Sequence, residues 1–160
     1  MVKLTYRDLD ADDFEAMHGL ATQWQVVRQL GGWPWPASPE FTKSRCKTYG
    51  GKGFVWGICL NGSLVGSVAV TGRELGYMLH PAVAGRGVMG QATFDAMSYA
   101  MAVTDHAYFD ASFWHDNPAS GRVLAKLGLG TGKPAMSRQK RGVFRYGVTT
   151  RGSDVMIGMA

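Results

Sequence analysis

The stretch that decides the fold is Glu74-Leu75-Gly76-Tyr77-Met78-Leu79-His80-Pro81-Ala82-Val83-Ala84-Gly85-Arg86-Gly87-Val88-Met89-Gly90. Glu74 to His80 reads as a strand, and Pro81 closes it because proline has no N–H to donate to a ladder. Gly85 and Gly87 then let the backbone turn and come close to a ligand. Phe94, Met97 and Met101 recur at helical spacing and predict a helix from about Val88 to Val103. At the start of such a helix several N–H groups lack an intrahelical partner and the dipole is positive, so a phosphate or pyrophosphate fits there; Arg86 adds a cation.

Working upstream, Phe54–Leu60 and Ser63–Val70 are strand candidates joined by Asn61-Gly62, the dipeptide a tight type I′ hairpin favours. Thr71-Gly72-Arg73 is a further turn, so the centre of the chain is an antiparallel meander. That context excludes one reading of the glycines. Gly85-x-Gly87-x-x-Gly90, with Asp110 beyond it, matches a dinucleotide-binding fingerprint, but that motif needs alternating βαβ units and an acid at a strand end. Asp110 instead falls inside a predicted strand, His106–Phe113.

The flanks complete the plan. Val2, Leu4 and Tyr6 alternate with polar residues as a half-buried strand. Asp10 caps a helix whose apolar stripe is Phe14, Met17, Leu20, Ala21 and Trp24. Trp33-Pro34-Trp35-Pro36 is a loop, and Ser38-Pro39-Glu40 opens a short helix. Asn117-Pro118 starts a later helix that Gly128 terminates, and Leu129–Thr149 reads as a strand pair turning near Arg141-Gly142. The order βααβββαβαββ is an α+β (mixed α/β) plan with helices on a central sheet.

The chain has 160 residues, 46% apolar and 18% charged, which fits one globular domain spanning 1–160. No apolar run approaches the roughly 18 residues of a membrane span. Met1–Arg7 has no apolar core of a secretory signal. Cys46 and Cys59 make neither a disulfide framework nor a metal-ligand spacing, so no metal is expected and the expected setting is reduced and cytoplasmic. The net charge is +5, and Lys133, Arg138, Lys140, Arg141 and Arg145 form an anion-free basic stretch. It allows an alternative reading as a basic nucleic-acid-binding module, against which no nucleic-acid motif or interleaved aromatic run accompanies the charges.

A second motif narrows the choice. His80-Pro81-(x)3-Gly85-Arg86-Gly87 is followed, some thirty residues later, by Asn117-Pro118-Ala119-Ser120-Gly121-Arg122-Val123-Leu124-Ala125-Lys126-Leu127-Gly128. This ordered pair resembles the GNAT superfamily of acyl-CoA-dependent N-acetyltransferases, and within it the ribosomal-protein N-terminal acetyltransferase subgroup. The resemblance covers about residues 2–151 and implies a mostly antiparallel, twisted sheet flanked by helices and splayed between its two central strands. It implies acetyl-CoA as cofactor, with backbone N–H groups of Gly85, Arg86, Gly87, Val88, Met89 and Gly90 on the pyrophosphate. Backbone around Met78 and Leu79 would pair with the pantetheine arm, which Asn117 would also contact, and Ser120 would lie near the sulfur. The sequence departs from the family at Ala84, where Gln or Arg is usual, and at Met89, where a small residue is usual. Many relatives have a Tyr donor where this chain has Leu124; Ser120 is the substitute in the ribosomal-protein subgroup.

The implied reaction is direct attack of a primary amine on the thioester, with no cysteine nucleophile. The amine must be neutral, so a base or relay water is needed; Glu74 acting through water is the first candidate and His115 the second. Ser120 would assist departure of the thiolate, and a free backbone N–H on the splayed strand would stabilise the oxyanion. His18, His80 and His106 read as solvated or core residues, while Trp33, Trp35 and Trp114 are candidates for an acceptor cleft. The acceptor is a protein N-terminus or a small amine, and a catalytically degenerate coenzyme-A-binding protein is the alternative within the family. No membrane partner is implied, and the chain is a monomer or homodimer.

Overall fold

Residues 2–106, 108–114, 116–136 and 144–151 are described by a computed structural model, with side chains as far as residue 129. The chain opens with strand β1 (Leu4–Asp8) and helices α1 (Phe14–Ala21), α2 (Trp24–Val27) and α3 (Pro39–Arg45). Strands β2 (Gly53–Leu60), β3 (Ser63–Thr71) and β4 (Glu74–Leu79) follow, then α4 (Val88–Val103) and β5 (Tyr108–Trp114). Helix α5 (Pro118–Lys126) and strands β6 (Gly130–Met136) and β7 (Phe144–Arg151) complete it. The strands lie in one sheet in the order β1-β2-β3-β4-β5-β7-β6.

Local signals are visible in the elements they predict. Asp10 accepts the Asp12 N–H at 2.9 Å while the Asp13 carboxylate accepts the Asp10 N–H at 2.9 Å, a capping box. Asn61 and Gly62 both have positive φ, 52° and 82°, as the tight turn between β2 and β3 requires. Gly128, at φ 76°, ends α5, its N–H bonding Ala125 while Leu129 N–H bonds Leu124. One helix expected to run as far as Trp24 is two. The Thr22 hydroxyl and the Gln23 amide both bond the Gly19 carbonyl, at 3.0 and 3.2 Å, and Gln23 is extended, so the chain turns before α2. The turn expected near Arg141-Gly142 lies outside the described residues.

The mixed α/β plan with a mostly antiparallel, centrally splayed sheet is the observed one. β4 and β5 form its parallel pair, and only Glu74 with Asp110 and Leu75 with Ala111 are in register before they part. Helix α4 provides the crossover between them, as a parallel connection requires. It packs on one face of the sheet with Ile58, Val68, Leu75, Ala96, Phe109 and Leu124, all 3% exposed or less. Helices α1–α3 cover the other face, where Leu9, Met17, Leu20, Cys46 and Met78 are buried. Full burial of each large apolar side chain contributes about 1.5–3 kcal/mol, so the two layers together clamp the open sheet.

Gly53 sits in a tight approach: its φ is +105°, and a Cβ there would stand 1.9 Å from the Val70 carbonyl oxygen. Gly53→Ala therefore combines a glycine-only backbone with a clash against backbone, and should lower stability by about 2 kcal/mol or more in urea titration.

Candidate functional site

The hydrogen-bond register tells which backbone groups the splay leaves open. His80 N–H bonds the Val65 carbonyl at 2.7 Å, and Asp110 N–H bonds the Arg73 carbonyl at 2.8 Å. Because strand residues alternate sides, Glu74, Gly76 and Met78 turn their backbone groups to β3, and Tyr77 and Leu79 turn theirs toward β5. Beyond Leu75 and Ala111 the β5 ladder has ended. The open edge is thus Tyr77 and Leu79, rather than the expected Met78 and Leu79. Met78, in register with Ser67, has its backbone committed to β3.

The loop after β4 carries the second set of open groups. Gly85 and Gly87 have φ of 76° and 78°, and Gly87 is the N-cap of α4 with no side chain to close it. Ala84 N–H is bonded to Pro81 and Gln91 N–H to Gly87, but between them the amides of Gly85, Arg86, Gly87, Val88, Met89 and Gly90 have no acceptor among the described residues. Six donors at the positive end of a sixteen-residue helix form an anion site. The Met89 side chain is 8% exposed and packs in the core, so its length does not crowd this loop.

A cleft of about 600 Å³ joins these two features, lined by Tyr77, Met78, Leu79, the glycine loop and the first turns of α5. Arg122 and Lys126, one helical turn apart on α5, also line it, and its walls contain no carboxylate among the described residues. Arg86 is exposed and lines a shallow hollow on the other side of the loop. At the throat, Asn117 Oδ1 accepts the Ser120 N–H at 3.2 Å, the N-cap bond of α5. Ser120 is 9% exposed, and its Oγ lies 2.5 Å from the Tyr77 Oη. Burial pushes the Tyr77 phenol up to about 12, opposed by the Ser120 hydrogen bond. Tyr77 therefore holds its proton at neutral pH.

On the opposite side of β4 lies a second cleft, also about 600 Å³, lined by Leu9, Met17, Trp33, Val55, Ser67 and the loop after α3. Both clefts are lined by Leu30, Tyr77 and Met78, which is where they meet. Trp33 lines both this second cleft and a neighbouring hollow of about 250 Å³, which Trp35 and Trp114 line with Trp24 and Phe41. Glu74 is exposed and shares the strand face of Gly76 and Met78, but stands past the end of both clefts. His18 Nδ1 is 3.0 Å from Thr42 Oγ1, His80 Nδ1 accepts the Ala82 N–H at 3.1 Å, and His106 meets Phe109 edge-on, so these three histidines have structural contacts. His115 lies outside the described residues, as do Arg138, Lys140 and Arg141 and the side chains of Lys133 and Arg145.

The sequence profile of the acetyltransferase (GNAT) domain matches residues 3–130, most of the chain. The protein belongs to the GNAT acetyltransferase family. Among curated proteins none matches the sequence closely enough to count as a relative. Solved GNAT structures share its fold. One is RimL, a ribosomal L7/L12 alpha-N-protein acetyltransferase in complex with coenzyme A, 18% identical with a TM-score of 0.80, covering 94% of this chain and 95% of its own. An acetyltransferase from Bacillus anthracis is 20% identical with a TM-score of 0.76, covering 96% and 98%. The spermidine N-acetyltransferase of Vibrio cholerae, in complex with coenzyme A and spermine, is 13% identical with a TM-score of 0.76, covering 96% and 98%.

In this GNAT chain Leu124 is 1% exposed and offers no donor to the cleft. Tyr77 brings a phenol to the throat from β4 instead, and the sequence reading missed it because only the fold sets β4 beside the start of α5. Arg122 and Lys126 were missed for the same reason. The Asn117 cap is testable apart from any reaction: Asn117→Ala should cost about 1 kcal/mol, read as a lower melting temperature, because the Ser120 N–H loses its acceptor.

Proposed function

We propose that this protein is an acetyl-CoA-dependent N-acetyltransferase that moves an acetyl group to a primary amine. The observation that carries the reading is the alignment, along one cleft, of an open strand edge at Tyr77 and Leu79 with the α4 N-terminus, where Gly85, Gly87, Val88, Met89 and Gly90 line the cleft with amides that have no acceptor among the described residues. An elongated ligand with an amide-bearing arm and a phosphorylated end fits both, and Arg122 and Lys126 supply positive charge to the phosphates. Ser120 beside the throat, with Leu124 in place of a tyrosine, supports kinship with the ribosomal-protein N-terminal acetyltransferases. The buried free thiols of Cys46 and Cys59 accord with a cytoplasmic setting.

Acetyl-CoA, when bound, supplies the acetyl group as a thioester already open to attack by an amine. The chain's own residues do the rest. The loop amides of Gly85–Gly90 hold the phosphates, and the N–H and C=O groups of Tyr77 and Leu79 pair with the arm. One of those N–H groups stabilises the charge that develops on the carbonyl oxygen. Asn117 holds the first turn of α5, so the Ser120 hydroxyl faces the sulfur. Ser120 Oγ, hydrogen-bonded to Tyr77 Oη, would give its proton to the departing sulfur and regain one from the phenol, which water then reprotonates. The amine arrives from the second cleft, and its proton leaves by water toward Glu74, which shares that face of β4.

Isothermal calorimetry should detect acetyl-CoA binding, and Gly87→Asp should weaken it about tenfold or more by adding a charge and an unfavourable positive φ at the helix start. Absence of binding to the native protein at millimolar cofactor would overturn the reading.

Ser120→Ala should lower kcat by about 10- to 100-fold, and Tyr77→Phe by a smaller factor, with cofactor affinity little changed. Because the Tyr77 phenol is raised, its proton is lost only near pH 12. The native rate at low acceptor concentration should then rise as the amine loses its proton, around pH 8 for an α-amine, and show no descending limb below pH about 10. A fall centred near pH 8–9 would assign the donor to another group.

A further inference from the structure

The second cleft has a charge character that the acetyltransfer reading leaves unused. Its walls are apolar at Leu9, Met17, Val55 and Met78, and basic at the end of α3 and in the loop behind it, with Arg45 and Lys47. Among the described residues no carboxylate lines it. The acids of this region are committed elsewhere. Asp13 and Asp10 lie 2.7 and 3.7 Å from the Arg7 guanidinium, and Glu40 accepts from Ser38 Oγ at 3.1 Å. Glu74 is not among the lining residues and can be reached from the cleft only through water. The Arg45 guanidinium lies over the Phe41 ring at 4.7 Å, and among the described residues neither it nor the exposed Lys47 has an ion-pair partner.

The cleft is also long. Ser67, opposite Met78, and Thr71 both line it, and four strand residues separate them by about 13 Å. That length accepts three to four extended residues or an elongated small molecule. A polyamine placed there would set its remote ammonium groups against two cations with nothing to pair them, a like-charge juxtaposition that binding sites avoid. Resting on the acetyltransferase reading, we propose that the acceptor is a primary amine on an elongated, partly apolar body that carries a negative charge. The N-terminus of a peptide with an acidic residue among its first three is the type case. Arg45 and Lys47 are the residues that select it.

The test is thiol release from acetyl-CoA with the amides of Ala-Phe-Glu, Ala-Phe-Gln and Ala-Phe-Lys, and with spermidine. The expected order of kcat/KM is Glu above Gln above Lys, with about tenfold between the ends, since one exchange removes an attraction and adds a repulsion. Lys47→Glu, at an exposed position that leaves packing intact, should narrow or invert that order while calorimetric acetyl-CoA affinity stays the same. Arg45→Gln should act in the same direction as a second variant. Equal rates for the three peptides, or a preference for the Lys peptide or spermidine, would overturn the charge selection and leave acetyl transfer standing. Cofactor binding without thiol release for any of the four amines would instead bring down the transfer reading, and this inference with it.

Discussion

Everything at the site follows from a parallel pairing that stops after two residues. β4 and β5 are in register at Glu74–Asp110 and Leu75–Ala111 and then part. Antiparallel neighbours could have been joined by a short turn, but a parallel pair needs a long crossover, and α4 is that crossover. Its N-terminus is thereby delivered to the end of β4, at the mouth of the opening. The same separation leaves Tyr77 and Leu79 without a β5 partner and makes room for the first turn of α5. Unpaired backbone groups in a sheet interior are costly unless something bonds them, which is why a broken ladder reads as a place for a ligand.

The two sides of β4 then take different tasks from strict alternation along one strand. Leu75 and Tyr77 face α4 and α5, so the phenol comes to lie against Ser120 in a half-buried throat. Gly76 and Met78 face the α1–α3 layer and line the other cleft. Tyr77 and Met78, adjacent in sequence, thus stand at the junction of the two spaces, and a residue insertion in β4 would exchange their faces. Burial both raises the Tyr77 phenol and strengthens its hydrogen bond, so the two hydroxyls stay a neutral, bonded pair at the throat.

Both clefts are basic, but the charges arise separately. Arg122 and Lys126 project from α5 into the cleft that runs from the glycine loop, alongside amides that carry only partial charges. Arg45 and Lys47 belong to the end of α3 and the loop behind it. On the proposed reading, such a division would let one ligand be gripped by its phosphates and another be selected by its charge.

Much of this was legible in the chain itself. The Asn61-Gly62 turn, the cap at Asn117, the terminator at Gly128 and the glycines at 85 and 87 act through local backbone geometry, which a few adjacent residues decide. They located the meander, the anion-binding turn and the start of α5, and with the resemblance they carried the fold. Tertiary structure decided what depends on register and on contacts between distant segments. The backbone edge that stays open belongs to Tyr77 rather than Met78, because the β3 ladder claims alternate residues and only the paired sheet says which. Tyr77 meets Ser120 across forty-three positions of sequence, and Arg45 and Lys47 come to line a wall shared with β3 and β4. Met89 turns into the core because α4 packs that face on the sheet. Local propensity contains none of these, since each is set by which two surfaces the burial of apolar residues brings together.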